Sequence, residues 1–266
     1  MSEQTDREAI LREIKKKRVR YALPGMDSLP VRRDVRYRAT SGRTLPMDIY
    51  YPRRDADPRT PVVVAAFGYP DPDGEIRQFG PFTSWAQLIA ASGMAMVLYG
   101  SEAPADDIHA VLRHLREHAN VLDLDIARIG LFSSSGNVPV ALSTLMRDRD
   151  LRSAALLCGY TMDADDATAV ADMSKQYGFV DACAGKSVDD LPTGVPLLVV
   201  RAGRDQAPGL NDALDKVVTR AIARNLPLTL VNHANGAHSF DCDEDSPIAR
   251  EVVRQVLAFL AFHLNA

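Results

Sequence analysis

Short, continuously apolar runs punctuate this chain and limit what it can fold into. After Pro61 comes Val62 to Phe67 (VVVAAF), and the same texture returns at Met94 to Tyr99, Ile129 to Phe132, Ala154 to Leu157, Leu197 to Val200 and Leu228 to Val231. A strand with one wet face alternates apolar and polar residues; a run without alternation is a strand covered on both faces. Between most of these runs lie segments with helical spacing: 84–92, 105–120, 138–147, 209–224 and 247–263. Strand and helix in alternation predict an α/β fold, a mostly parallel sheet with helices on both faces. Upstream, Val31 to Arg38 alternates as a half-buried strand does, Ser41-Gly42 supplies a turn, and Leu45 to Tyr51 resumes the pattern. That is an N-terminal antiparallel hairpin. Ala9, Ile10, Ile14 and Val19 recur at helical spacing, so a short amphipathic helix is expected within residues 1–20.

At 266 residues the chain suits one large α/β domain, with residues 1–30 as an N-terminal helix and arm. The segment between Leu157 and Leu197 is too long for a plain connection, and residues 161–194 are expected to form a small helical cap inserted over the active face. Charge narrows the partners. The formal net charge is −4, and the lone basic run, Lys15 to Arg18, sits among acidic residues, which points away from nucleic acid. No apolar stretch approaches the roughly 20 residues that span a bilayer. Cys158, Cys183 and Cys242 show no CxxC or zinc spacing and read as free thiols. Without the order of a secretory signal at the N-terminus, the cytoplasm is the expected location.

Residues 130–137 read GLFSSSGN, three serines between a strand and a helix. A sharp strand-to-helix turn of this kind can hold a nucleophilic hydroxyl above the sheet, usually within G-x-S-x-G. Placed on Ser135, the frame becomes Ser133-Ser134-Ser135-Gly136-Asn137, with both glycines replaced. Placed on Ser134, it recovers Gly136 but puts Phe132 where space is shortest. Ser135 is therefore preferred over Ser134, with Asn137 tolerated because asparagine accepts strained backbone. The plain alternative is that these serines only cap a helix.

A serine needs a base, and the base an orienting acid, in the chain order Ser, Asp or Glu, His for such a turn. Asp205 lies just past the run Leu197 to Val200. His238 lies beyond the run at 228–231, in a loop after Gly236, whereas His233 is expected to end the strand. Asp189 and Asp190 are the rival carboxylates should the acid follow a different strand. His109, His114 and His118 fall on one helix without an HExxH pattern and read as surface or packing residues. For an oxyanion hole, the backbone N–H groups of Gly136, after the nucleophile, and of Tyr69, in the loop FGYPDPDG, are the candidates. Among the apolar cap residues, Phe179 and Met173 are expected to line the acyl pocket, though cap packing alone would also explain them.

Together MDIYYP, FGYPDPDG, SSSGNVPVAL, VVRAGRDQAPGLN and HANGAHSFD resemble the α/β-hydrolase superfamily over roughly residues 30 to 265, and within it dienelactone-hydrolase-type serine esterases. The resemblance implies a serine hydrolase acting on small-molecule carboxylic esters through an acyl-enzyme, with no metal and no organic cofactor. Dienelactone hydrolases proper carry cysteine where this chain has Ser135. A lactonase, acyl transferase or peptidase, or a non-catalytic ligand-binding protein of the same fold, remains an alternative. Oligomeric state is open, a homo-oligomer included.

Overall fold

The computed structural model describes residues 13–53, 59–163 and 169–265. Most of the helix expected within 1–20 lies outside the described residues; residues 13–16 form a helical turn. An irregular arm follows, ending at a 3-10 turn at Met26–Ser28. The arm is tied down. Arg20 N–H donates to the Asp241 carbonyl at 2.8 Å, and Val19 N–H donates to Ser84 Oγ at 3.0 Å.

Eight strands form one sheet: β1 (Val31–Arg38), β2 (Thr44–Tyr50), β3 (Thr60–Ala65), β4 (Ala95–Tyr99), β5 (Leu124–Ser134), β6 (Ser153–Leu157), β7 (Leu197–Ala202) and β8 (Leu228–His233), in the order β1-β2-β4-β3-β5-β6-β7-β8. β1 and β2 pair antiparallel, and β2 runs antiparallel to β4; every other pairing is parallel. The expected hairpin thus forms one end of the sheet. Most apolar runs do what their texture demands: all residues of β3, β4 and β6 are buried, whereas β8, expected to be covered on both faces, is an edge strand with Thr229, Leu230 and Asn232 exposed. Only helices on both faces can cover β3, β4 and β6. Full burial of each such valine or leucine contributes about 1.5–3 kcal/mol.

The helices are α1 (Gly80–Ala91), α2 (Pro104–Glu117), α3 (Val138–Arg147), α4 (Ala169–Tyr177), α5 (Leu210–Ala223), the single turn α6 (Phe240–Asp243) and α7 (Pro247–Asn265). Pro81, Pro104 and Pro139 sit in first turns, where a missing N–H costs nothing. At the C-terminal end of α2 the ring of His114 stacks on that of the C-cap residue His118. The three cysteines are free and buried.

Most boundaries fall within a few residues of those expected, with two informative exceptions. β5 begins at Leu124, where Asp125 and Arg128 break the apolar texture; the two pair with each other at 2.7 Å. α6 is too short to leave a periodic signal. Between β6 and β7 the chain leaves the sheet, forms α4 and a 3-10 turn at Val188–Asp190, and returns.

Candidate active site

The chain turns abruptly at the end of β5. Ser134 is still extended, with φ −144° and ψ 153°. Ser135 then takes φ 57°, the left-handed region, and α3 follows at once. A serine held there costs about 1–3 kcal/mol, a strain that must be imposed by its surroundings and that lifts its side chain off the sheet. The turn distinguishes the three serines. Ser133 is buried and its Oγ donates to the Ala66 carbonyl at 3.2 Å, so it is spent on the neighbouring strand. Of the three, Ser135 meets a histidine: its Oγ lies 2.9 Å from His238 Nε2.

His238 lies in the loop after β8, and its Nδ1 is 2.7 Å from Asp205 Oδ2. Asp205 lies in the loop after β7 with its side chain fully buried, and its other oxygen accepts from Ala207 N–H at 2.9 Å. The two loops are stitched together: Gly203 N–H donates to the His233 carbonyl at 2.9 Å, and Arg204 N–H to the Gly236 carbonyl at 2.8 Å. Asp205 and His238 are therefore held in mutual register by backbone rather than by their own contact alone. His233 ends β8, as its position suggested, with Nε2 2.9 Å from Glu244. The rival carboxylates are engaged elsewhere. Asp189 pairs with Arg224 at 2.9 Å, and Asp190 accepts from Ser187 N–H at 2.8 Å.

The loop after β3 approaches the elbow closely. A Cβ on Gly68 would overlap the Gly136 carbonyl oxygen, and one on Gly136 would lie 2.5 Å from Tyr69 Oη and 2.8 Å from Phe179 Cδ1. Only glycine fits at Gly68, where the obstacle is backbone; at Gly136 the Tyr69 and Phe179 side chains would have to give way. Gly68 N–H is committed to Asn137 Oδ1 at 2.7 Å, and Tyr69 follows it in the loop. Farther along, Asp71 and Ser101 form an isolated antiparallel bridge, Arg77 Nε donates to the Gly74 carbonyl at 3.1 Å, and the buried Arg77 guanidinium pairs with the buried Asp48 carboxylate of β2. These contacts anchor the far end of the loop to the body.

The segment between β6 and β7 roofs the elbow. Phe179 is buried, stacked on Tyr160 at 5.2 Å between centroids and edge-on to Tyr69 at 6.2 Å. Val170, Leu210 and Ala213 complete this small cluster, against which Met173 packs half-buried. Val180 N–H donates to the Gly68 carbonyl at 2.8 Å, fastening the roof to the loop after β3.

Two features escaped the sequence. Asn137 is not strained: its backbone is ordinary right-handed helix, φ −87° and ψ −19°, and its side chain is what the site uses. The signal was a polar residue standing in a glycine slot. The other is Asp241, whose carboxylate accepts from Trp85 Nε1 at 2.8 Å just beyond the histidine. Burial pushes its pKa above the ordinary carboxylate value. No pattern in the sequence links Trp85 to it.

The mainly parallel sheet with an antiparallel end, the elbow after β5 and the loops after β7 and β8 define an α/β-hydrolase fold. Solved structures of that fold superpose on nearly the whole chain. An α/β-hydrolase enzyme from the metagenome of Lake Arreo, Spain, matches with a TM-score of 0.76 at 17% identity, covering 100% of this chain and 91% of that one. A thermophilic and thermostable carboxylesterase cloned from a metagenomic library gives 0.74 at 17% identity over 99% and 98%. A thermostable esterase from Pseudomonas putida gives 0.73 at 15% over 98% and 90%. No family model and no curated protein matches the sequence.

Proposed function

We propose that this chain is a serine hydrolase that cleaves small-molecule carboxylic esters through an acyl-enzyme. The observation that carries the reading is the continuous line Ser135 Oγ, His238 Nε2, His238 Nδ1, Asp205 Oδ2, with spacings of 2.9 and 2.7 Å, on a serine in left-handed conformation at a strand-to-helix turn. An unstrained helix cap needs neither the strain nor the partners. The names of the structural neighbours, esterase and carboxylesterase, point the same way.

In this reading His238 takes the hydroxyl proton as Ser135 attacks the ester carbonyl. Asp205 fixes the tautomer with the proton on Nδ1 and stabilises the imidazolium that forms. The Gly136 and Tyr69 amides bind the oxyanion; each such donor is worth about 10²–10³ in kcat. His238 then protonates the leaving alcohol, and in the second half activates water to release the acid. Residues 161–194 act as the cap of a single domain, with Phe179 and Met173 bounding the acyl site. The likeness to dienelactone hydrolases extends to the motifs, with serine as the nucleophile.

A fluorophosphonate probe followed by mass spectrometry tests the reading. Stoichiometric labelling at Ser135, together with turnover of p-nitrophenyl esters, is the expected result. A folded chain that takes no label and turns over no ester would instead be a ligand-binding relative. Adding competing alcohols to the same assay separates acyl transfer from hydrolysis, and lactones in place of linear esters reveal a lactonase.

A further inference from the structure

Asn137 occupies the second glycine position of the elbow, and its side chain has two partners on two different elements. Oδ1 accepts from Gly68 N–H at 2.7 Å, and Nδ2 donates to the Ser134 carbonyl at 2.9 Å. The partners leave no choice of orientation, since an amide N–H only donates and a carbonyl only accepts. Asn137 is 4% exposed and the bond to Gly68 is shielded from water. The Gly68 bond crosses a tight gap between loop and elbow, where a Cβ on Gly68 would lie 3.0 Å from Asn137 Cα and would overlap the Gly136 carbonyl, while the Ser134 bond anchors the same side chain within the elbow. Either side of this gap stands one of the two amides assigned above to the oxyanion, Gly136 next to Ser134–Ser135 and Tyr69 next to Gly68.

We infer that Asn137 is a positioning residue that clamps the two halves of the oxyanion hole at a fixed separation. The inference rests on the ester-hydrolase reading above. The glycine of the usual motif supplies only space at this point; here the space is filled by an amide that bolts the loop after β3 to the elbow. Only a primary amide of this length offers an acceptor to one side and a donor to the other. Aspartate keeps the acceptor and loses the donor, and serine is too short to span both. Oxyanion donors act because they need no rearrangement as charge develops. If the loop drifts, ground-state binding survives and the transition state loses its fit.

The test is Asn137→Gly, which restores the family's motif letter and removes the clamp. Variants are compared per active site, counted by fluorophosphonate titration, with p-nitrophenyl acetate as substrate and an alkyl trifluoromethyl ketone as a tetrahedral oxyanion mimic. The expected result is a fall in kcat of about 10²-fold, the scale of a displacement of about 1 Å at a reacting centre. KM stays near wild type, and ketone affinity falls in step with kcat. Should Asn137→Gly not fold, Asn137→Leu, which keeps the size and removes both hydrogen bonds, is read in the same way. Per-site kcat and ketone affinity equal to wild type in the folded variant overturn the clamp, whatever happens to the melting temperature. Wild-type protein that neither takes the label nor turns over acetate overturns the ester-hydrolase reading itself, a distinct outcome visible before any variant is made.

Discussion

The elbow and the roof above it meet at Gly136 and are built on different physics. On the elbow side the polar side chains are placed by directional bonds: His238 between Ser135 and Asp205, Asn137 between Gly68 and Ser134. On the roof side Tyr160, Phe179, Val170 and Leu210 are held by apolar packing, with few polar contacts such as Tyr160 Oη on the Pro208 carbonyl at 3.1 Å and Val180 N–H on Gly68. Hydrogen bonds fix distance and angle, so a change of one atom there is felt in rate. Apolar packing fixes volume, so a change there is felt in what fits and in stability. Under the proposed ester-hydrolase reading, chemistry and selectivity are thus separable, although they share one glycine.

The largest effect expected from breaking the elbow side is at the nucleophile. Ser135→Ala should abolish ester hydrolysis, whereas Ser134→Ala and Ser133→Ala keep most of it. Ser133→Ala gives up one buried hydrogen bond to Ala66, worth about 1 kcal/mol of stability. Initial rates and melting curves on the three variants decide this; an inactive Ser134→Ala beside an active Ser135→Ala would move the nucleophile.

Next comes the acid. Asp205→Asn should keep the fold and lower kcat by up to about 10⁴-fold, the effect of a wrongly held tautomer. Near-wild-type turnover in Asp205→Asn would mean that His238 is oriented by something else.

Breaking the roof should give a different signature. Phe179→Ala opens space over Gly136 and should shift the preferred acyl length of p-nitrophenyl esters upward, since each methylene newly accommodated is worth about 0.8 kcal/mol. Because Phe179 is buried, the variant should also lose about 3–5 kcal/mol of stability. Met173→Ala, half-buried, should shift the profile less and cost less. A lowered melting temperature with an unchanged chain-length profile at both positions would make them packing residues only.

The smallest effect concerns the base of the histidine loop. The pKa of Asp241 is raised by burial, so between the ordinary carboxylate value and its folded value the unfolded chain has lost a proton that the folded chain keeps. In that window this group makes stability fall as pH rises. Asp241→Asn retains an acceptor for Trp85 and removes the titration. Its melting temperature, measured against wild type, should therefore gain with rising pH and level off above the window. A difference that does not vary with pH would show that the carboxyl titrates normally.

Much of this was legible in the one-dimensional pattern because it depends on local rules. Continuous apolar runs read as strands covered on both faces, and β3, β4 and β6 are such strands, whereas the shorter run at 228–231, broken by Thr229, forms the exposed edge strand β8. Asp205 and His238 could be singled out because each follows a strand in a loop, where side chains are free to point at a common centre. Ser135 could be preferred to Ser134 because Phe132 will not fit the crowded side of a tight turn. β5 was read short because the Asp125–Arg128 pair carries no apolar signal.

What the sequence by itself determined is therefore the order of strands and helices, and the loops from which reactive groups could come. The spacing of Ser135, His238 and Asp205 was decided only in three dimensions, by β5, β7 and β8 lying in one sheet and by the bonds from Gly203 to His233 and from Arg204 to Gly236. So were the clamp of Asn137 on Gly68 and the contact of Trp85 with Asp241, whose partners stand 69 and 156 residues apart in the chain. The physical reason is that periodicity records which face of an element is buried, whereas a hydrogen bond between distant side chains leaves no period. It exists only once packing has brought the two backbones within reach.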